Sequence, residues 1–143
     1  MLLGEFEHTI DDKSRLTLPA RFRSAFADGI VVTRGMDGCL YAYTQEAWDD
    51  LVATRLAALD PLSQDDRRIQ RHFFAGASEA ELDRQGRVGL PAALVQHAGL
   101  GREVVVAGVN DHVEIWDREA WRRELAVVEG SAEDVAERLA KRD

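Results

Sequence analysis

The sequence predicts an α+β fold built twice over. Three observations carry that expectation: a self-similarity running through most of the chain, short apolar-alternating runs separated by polar turns, and helix-period segments opened by Pro, Ser or Asp. With Arg15 set on Arg87, an offset of 72, Gly4 falls on Gly76, Asp11 on Asp83, Ser14 on Gly86, and Leu18-Pro19-Ala20 on Leu90-Pro91-Ala92. One inserted residue moves the offset to 73. Val31-Val32 then match Val104-Val105, Gly35 matches Gly108, Leu40 matches Val113, and Glu46-Ala47-Trp48 match Glu119-Ala120-Trp121.

Each half reads in the same order. Glu5 to Ile10 forms a short strand, Asp11 to Ser14 a polar turn, and Arg15 to Leu18 a second strand by its alternation. Pro19 suits the first turn of a helix, where its missing N–H is no loss, and that helix stops near Phe26 before Asp28-Gly29. Ile30 to Arg34 and Cys39 to Tyr43 are two more strands, and a helix follows from Gln45 to about Leu59, ended by Asp60-Pro61. In the second half the helix Pro91 to Ala98, the strands Glu103 to Ala107 and Val113 to Trp116, and a helix from Arg118 with Asp117 as N-cap repeat the pattern. Two helices lack a counterpart. Ser63 caps a connector running to about Phe74, and Ser131 with Asp134 has the form of a capping box opening a C-terminal helix.

Length and composition narrow the function. The chain has 143 residues, 45% of them apolar, enough for one domain-sized core. It has no long apolar run and no signal-like start, so the expected location is the cytoplasm, without a membrane partner. The single Cys39 lies in an apolar run and reads as a small buried hydrophobe. His8, His72, His97 and His112 are scattered without Cys or carboxylate at ligand spacing, so no metal or cofactor is expected. No phosphate-binding glycine loop and no recognisable triad is present, and the expectation is that the protein is not an enzyme. Trp48, Trp116 and Trp121 read as packing between the halves or at a subunit contact. The basic segment Arg67 to Phe74 reads as a helix packed through Ile69 and Phe73, with Asp65 and Asp66 available to its arginines.

The repeated Asp-x-x-x-Arg turn carries the chemistry. Leu16 and Leu18 point to the core, as do Val88 and Leu90, which leaves Arg15 and Arg87 on the opposite face. Asp11 and Asp83 can each bond turn N–H groups and steer the arginine, holding a forked donor at the rim of a two-stranded ribbon able to enter a DNA major groove. One such turn would be an ordinary surface ion pair worth under about 1 kcal/mol. Its recurrence with Leu-Pro-Ala at matched positions argues for function. The net charge of -8 opposes phosphate binding, but a ligand meets a local patch.

The duplicated pattern Asp-x-x-[Gly/Ser]-Arg-x-x-Leu-Pro, followed by "CLYAYTQEAW" and "VEIWDREAW", resembles the MraZ family of bacterial transcriptional regulators, within the SpoVT/AbrB swapped-hairpin class. The resemblance implies an internally duplicated swapped-hairpin β-barrel with flanking helices. Its expected layout is a first SpoVT/AbrB-like repeat at 5–50, connecting helices at 51–75, a second repeat at 76–122 and a helical tail at 123–143. It also implies a ring-shaped homo-oligomer on double-stranded DNA, nucleoid-associated, regulating the division and cell-wall gene cluster including its own promoter, most simply as a repressor. The DNA-binding positions are Asp11, Lys13, Arg15, Asp83 and Arg87, with Arg21, Arg23 and Arg84 as additional contacts.

Ser14 departs from the family's glycine, Gln85 stands opposite Lys13, and Val95 stands where relatives often carry a basic residue. The sequence expectation is therefore that the first loop contributes more to DNA affinity, with Lys13, Arg21 and Arg23 around Arg15. The alternative function is a protein-interaction module whose ring or acidic C-terminal helix binds a protein.

Overall fold

The computed structural model describes residues 1–142. In the first half β1 (Leu2–Thr9) and β2 (Arg15–Thr17) lead through α1 (Ala20–Arg23) and a 3-10 turn to the hairpin of β3 (Ile30–Arg34) and β4 (Leu40–Thr44). Then come α2 (Gln45–Leu51), continued as a wider helical turn to Leu56, and α3 (Gln64–Gln70), continued likewise to Ala75. The second half supplies β5 (Ser78–Ala80), β6 (Arg87–Gly89), α4 (Ala92–His97), β7 (Glu103–Asn110), β8 (His112–Asp117) and α5 (Arg118–Ala140).

The halves are interleaved. Six strands form one antiparallel sheet in the order β1-β7-β8-β4-β3-β5, and β2 and β6 form a separate ribbon. Apart from the two β-hairpins β3–β4 and β7–β8, every pairing joins one half to the other: β1 with β7, β5 with β3, β4 with β8, β2 with β6. Exchanging the halves leaves this scheme unchanged, so a pseudo-two-fold axis runs through the facing pairs Leu16–Val88 and Tyr41–Glu114. A lone hairpin exposes too much of both faces to persist, and interleaving gives each a cover. The protein is α+β with a swapped-hairpin arrangement, and the sheet itself is not a closed barrel. Its edges β1 and β5 do not pair with each other, and the ribbon covers the opening, tied to the end of β1 by the Ile10–Leu16 bridge.

Leu16, Leu18, Val88 and Leu90 all turn inward and join Phe22, Ile30, Val104 and Ile115 in the main core, as the alternation requires. A second cluster on the other face of the sheet gathers Val31, Tyr43, Trp48, Leu56 and Phe73, with Trp116 and Trp121 stacked edge-on nearby at 5.6 Å. Cys39 is fully buried, and that burial pushes its thiol well above the ordinary range.

Two local expectations are corrected. Ile30 and Val32 face the main core as Val104 and Val106 do, and Ile30 opposes Ala80 as Val104 opposes His8, so the strands match at an offset of 74. The 73-residue match of Val31-Val32 to Val104-Val105 was therefore one residue out of register, and Gly35 is not the counterpart of Gly108. Both faces of β3 and β7 are covered, so their valines carry no in-out alternation to mark the register. Ser131, moreover, opens no helix. α5 is unbroken, and the Ser131 hydroxyl donates back to the Val127 carbonyl at 2.6 Å, the usual outlet for a serine inside a helix. Asp117 and Ser63 do cap α5 and α3.

Candidate nucleic-acid interface

The two Asp-x-x-x-Arg turns are built alike. In the first, Asp11 Oδ1 accepts from the Lys13 and Arg15 backbone N–H groups at 3.0 and 2.9 Å, and Oδ2 accepts from Arg15 Nε at 2.7 Å. In the second, Asp83 Oδ1 accepts from the Gln85 and Arg87 N–H groups, both at 2.9 Å, and Oδ2 accepts from Arg87 Nε at 2.7 Å. Each aspartate N–H also donates to the carbonyl of its arginine, and each aspartate carbonyl accepts from the N–H of the residue before that arginine, Ser14 or Gly86. The Arg15 N–H bonded to Asp11, and the Arg87 N–H bonded to Asp83, are the main reason both carboxyls lie below their ordinary range. The carboxylates are thus ionised and fully engaged in shaping the turn.

This engagement orients the arginines. Only Nε of each guanidinium is used within the chain, and the Nη groups have no hydrogen-bond partner among the described residues. Arg15 faces Gly89 and Thr17 faces Arg87 across the ribbon, so the two arginines lie diagonally on its outer face. Diagonal neighbours of this kind stand about 7–8 Å apart. The result is a pair of guanidinium forks related by the pseudo-two-fold axis, with the small groups Thr17 and Gly89 on the other diagonal.

The Leu-Pro-Ala that follows each turn belongs to the same machinery. The Leu18 N–H donates to the Gly86 carbonyl and the Leu90 N–H to the Ser14 carbonyl, each at 2.9 Å. Each half therefore clamps the other's turn, which explains why turn and Leu-Pro recur together. The clamped residue is left-handed in both: Ser14 at φ 57° and Gly86 at φ 75°. Glycine adopts that conformation freely, whereas serine is strained there.

The remaining candidate residues separate. Lys13 and Arg84 are exposed on the turns themselves, one on each. Arg23 does not surround Arg15, because interleaving carries it to the other turn. A Cβ on Gly86 would lie 2.5 Å from Arg23 Nε, and that Nε donates to the Leu18 carbonyl at 3.0 Å. Its counterpart Val95 instead lines a shallow cleft beside Ser14. Arg21 reaches neither turn. It lies 5.9 Å over the Phe6 ring, in a cleft shared with Met1, Thr44 and Asn110 at the far end of β1. Sequence reasoning missed Arg102, which borders the cleft beside Asp12 and whose carbonyl accepts from the Ile10 N–H at 2.8 Å. It lies in a loop far along the chain from the first turn, and only pairing of β1 with β7 brings it near.

The charges follow from this placement. Asp11, Asp12, Lys13 and Arg15 cancel, and Arg102 adds one positive charge beside them. Asp83, Arg84 and Arg87 sum to one positive charge, and Arg23 adds a second. Within the Asp-x-x-x-Arg segments alone the second carries one more positive charge than the first, and Arg23 stands at the second, so the clustering of Arg21 and Arg23 around Arg15 that ranked the first turn higher does not hold.

No group of three or more metal-ligating side chains converges among the described residues, and no described helix is long and apolar enough to cross a membrane. Residues 1–72 and 73–143 each match the family model described as "MraZ protein, putative antitoxin-like". A protein named "Transcriptional regulator MraZ" from Roseiflexus castenholzii is 45% identical over 141 residues, covering 99% of this chain and 98% of its own. Proteins of the same name from Ligilactobacillus salivarius and Limosilactobacillus fermentum are 44% and 50% identical, over 97% and 85% of this chain and 96% and 84% of theirs.

Proposed function

The chain belongs to the MraZ family, and on that premise we propose that it is a sequence-specific DNA-binding transcriptional regulator reading short repeated promoter elements through its paired turns. The observation that carries this reading is the pair of identically braced arginines on the outer face of one ribbon. A two-stranded ribbon fits the major groove, and a guanidinium with both Nη groups open can pair with guanine O6 and N7. Membership of a family of transcriptional regulators also means that the protein is not an enzyme.

Asp11 and Asp83 position the arginines, Arg15 and Arg87 read bases, and Lys13, Arg84 and Arg23 meet phosphates. The second turn contributes more than the first. With a net charge of -8 a lone protomer binds weakly, and a ring presenting several ribbons to spaced repeats gains on the order of 10²–10⁴ in avidity. The layout is that of two repeats at 5–50 and 76–122, connecting helices at 51–75 and a helical tail at 123–143. The protein works in the cytoplasm at the nucleoid, repressing the division and cell-wall cluster that includes its own promoter.

The test is a gel shift on DNA upstream of its own gene, wild type beside Arg15→Ala/Arg87→Ala, with oligomer size measured for both. The expected result is binding by the wild type alone at unchanged oligomer size. Equal binding by both proteins would remove the turns from DNA recognition.

A further inference from the structure

The two halves share one plan, so a group of polar side chains present in only one of them needs its own explanation. Such a group lies where the ends of β3 and β5 meet α4, in a cleft of about 410 Å³, within the size range of small-molecule sites. Its polar side chains are Arg34 from β3, Ser78 from β5 and His97 from α4. At the offsets that relate the halves, 74 for β3 and 72 for β5 and α4, their counterparts are Gly108, Phe6 and Ala25. In the first half Phe6 packs edge-on against Phe22 at 5.3 Å, so ring carbon stands there in place of hydrogen-bond donors.

Arg34 is seated in its place. A Cβ on Gly76 would lie 2.5 Å from Arg34 Nε and 2.9 Å from the His72 carbonyl, so glycine is what lets the arginine lie there. The backbone gives no other reason for it: Gly76 has φ −83°, whereas its counterpart Gly4 has φ 96°. His72 stands behind the group, its ring centroid 5.9 Å from that of His97 and its Nε2–H donating to the Gly35 carbonyl at 3.0 Å. Among the described residues the side chains of Arg34, Ser78 and His97 form no hydrogen bond or ion pair, and no carboxylate lines the cleft. Partial loss of water, then His72 and Arg34, hold the His97 imidazole below its ordinary range. Basic groups have gathered without an acidic one, and an anion between them would remove the repulsion.

The donors decide the kind of anion. A carboxylate presents two oxygens in one plane, which a single guanidinium fork can satisfy. A phosphate monoester presents three terminal oxygens and up to two negative charges, matching a fork, a hydroxyl and an imidazole N–H brought from three separate elements. Beside these donors Ala77, Ala93 and Leu94 supply an apolar wall.

We propose that this cleft binds a small phosphate monoester, its phosphoryl oxygens on Arg34, Ser78 and His97 and its organic part against Ala93 and Leu94. DNA also carries phosphates, but as diesters with one charge and two free oxygens, which leaves a donor unused. The site is independent of the reading of the turns as a DNA interface.

Isothermal titration calorimetry of the full chain with phenyl phosphate and with methyl phenyl phosphate tests the site. Phenyl phosphate is expected to bind the wild type saturably, and the diester about tenfold more weakly. Arg34→Lys keeps the charge and the stem but loses the fork, and His97→Ala removes a donor from an exposed position. Each should weaken phenyl phosphate about tenfold, with matching far-UV circular dichroism to check that the variants are folded. Absence of saturable binding by the wild type, or undiminished binding by either folded variant, would overturn the proposal. Equal binding of the diester would overturn it as well, and would assign these donors to the DNA backbone instead.

Discussion

The turn at Asp11–Arg15 and the turn at Asp83–Arg87 share every bond that shapes them and differ in what lies on top. In both, one carboxylate gathers two backbone N–H groups and its arginine's Nε. Over the second lies Arg23 from the opposite half, and beside the first are Val95 and a cleft reaching Arg102. A four-residue motif thus determines shape, while the electrostatic field at that shape is decided by a segment the motif does not contain. Interleaving sends Arg23 of the first half to the second turn, so neighbours in sequence are the wrong guide to neighbours in space.

The largest effect falls where the two turns are joined. Leu16 and Val88 face each other on the pseudo-two-fold axis, 0% and 1% exposed. Leu16→Ala should cost about 2–5 kcal/mol in denaturant unfolding. Val88→Ala removes fewer carbons and should cost less, and a reversal would mean that the two strands are not equivalent in the core. The clamped residue comes next. Gly86→Ala adds strain at φ 75° and pushes a methyl group against Arg23, for an expected loss of about 1–3 kcal/mol, whereas Ser14→Gly relieves strain and should stay within about 1 kcal/mol of wild type.

On DNA, Arg87→Ala and Arg15→Ala should each weaken promoter binding by about 1–3 kcal/mol in anisotropy titrations, Arg87→Ala the more. A greater loss from Arg15→Ala would show that the charge around each turn does not set its weight. Arg84→Ala should reduce the slope of affinity against salt by about 1. Removing Asp12, its counterpart, should strengthen binding and bring the two turns closer in charge.

The smallest effect is in acid. The folded carboxyls of Asp11 and Asp83 lie below their unfolded values, so each contributes stability that is present above the ordinary carboxylate pKa and is lost as pH falls through the depressed folded value. Asp11→Asn and Asp83→Asn should therefore flatten the acid limb of the stability-against-pH curve, by similar amounts because the bonding is the same. A clear difference between them would mean that Arg23, present at one turn only, contributes to the acid response.

Spacing along the chain specifies whatever is encoded within a few residues. The Asp-x-x-x-Arg turns close on their own side chains, Leu16, Leu18, Val88 and Leu90 alternate inward, and Asp117 and Ser63 cap their helices, each a matter of local hydrogen bonding or strand period. Duplication told that the same unit would be used twice. Tertiary structure decided the rest. It placed Arg23 on the far turn, left Arg21 over Phe6 and brought Arg102 to the first turn. It also set the offset of 74 at strands buried on both faces, and ran α5 through Ser131 because the helix already had a cap upstream. Local bonds are specified by spacing along the chain, whereas which segment covers a turn depends on strand exchange between the halves, which spacing does not encode.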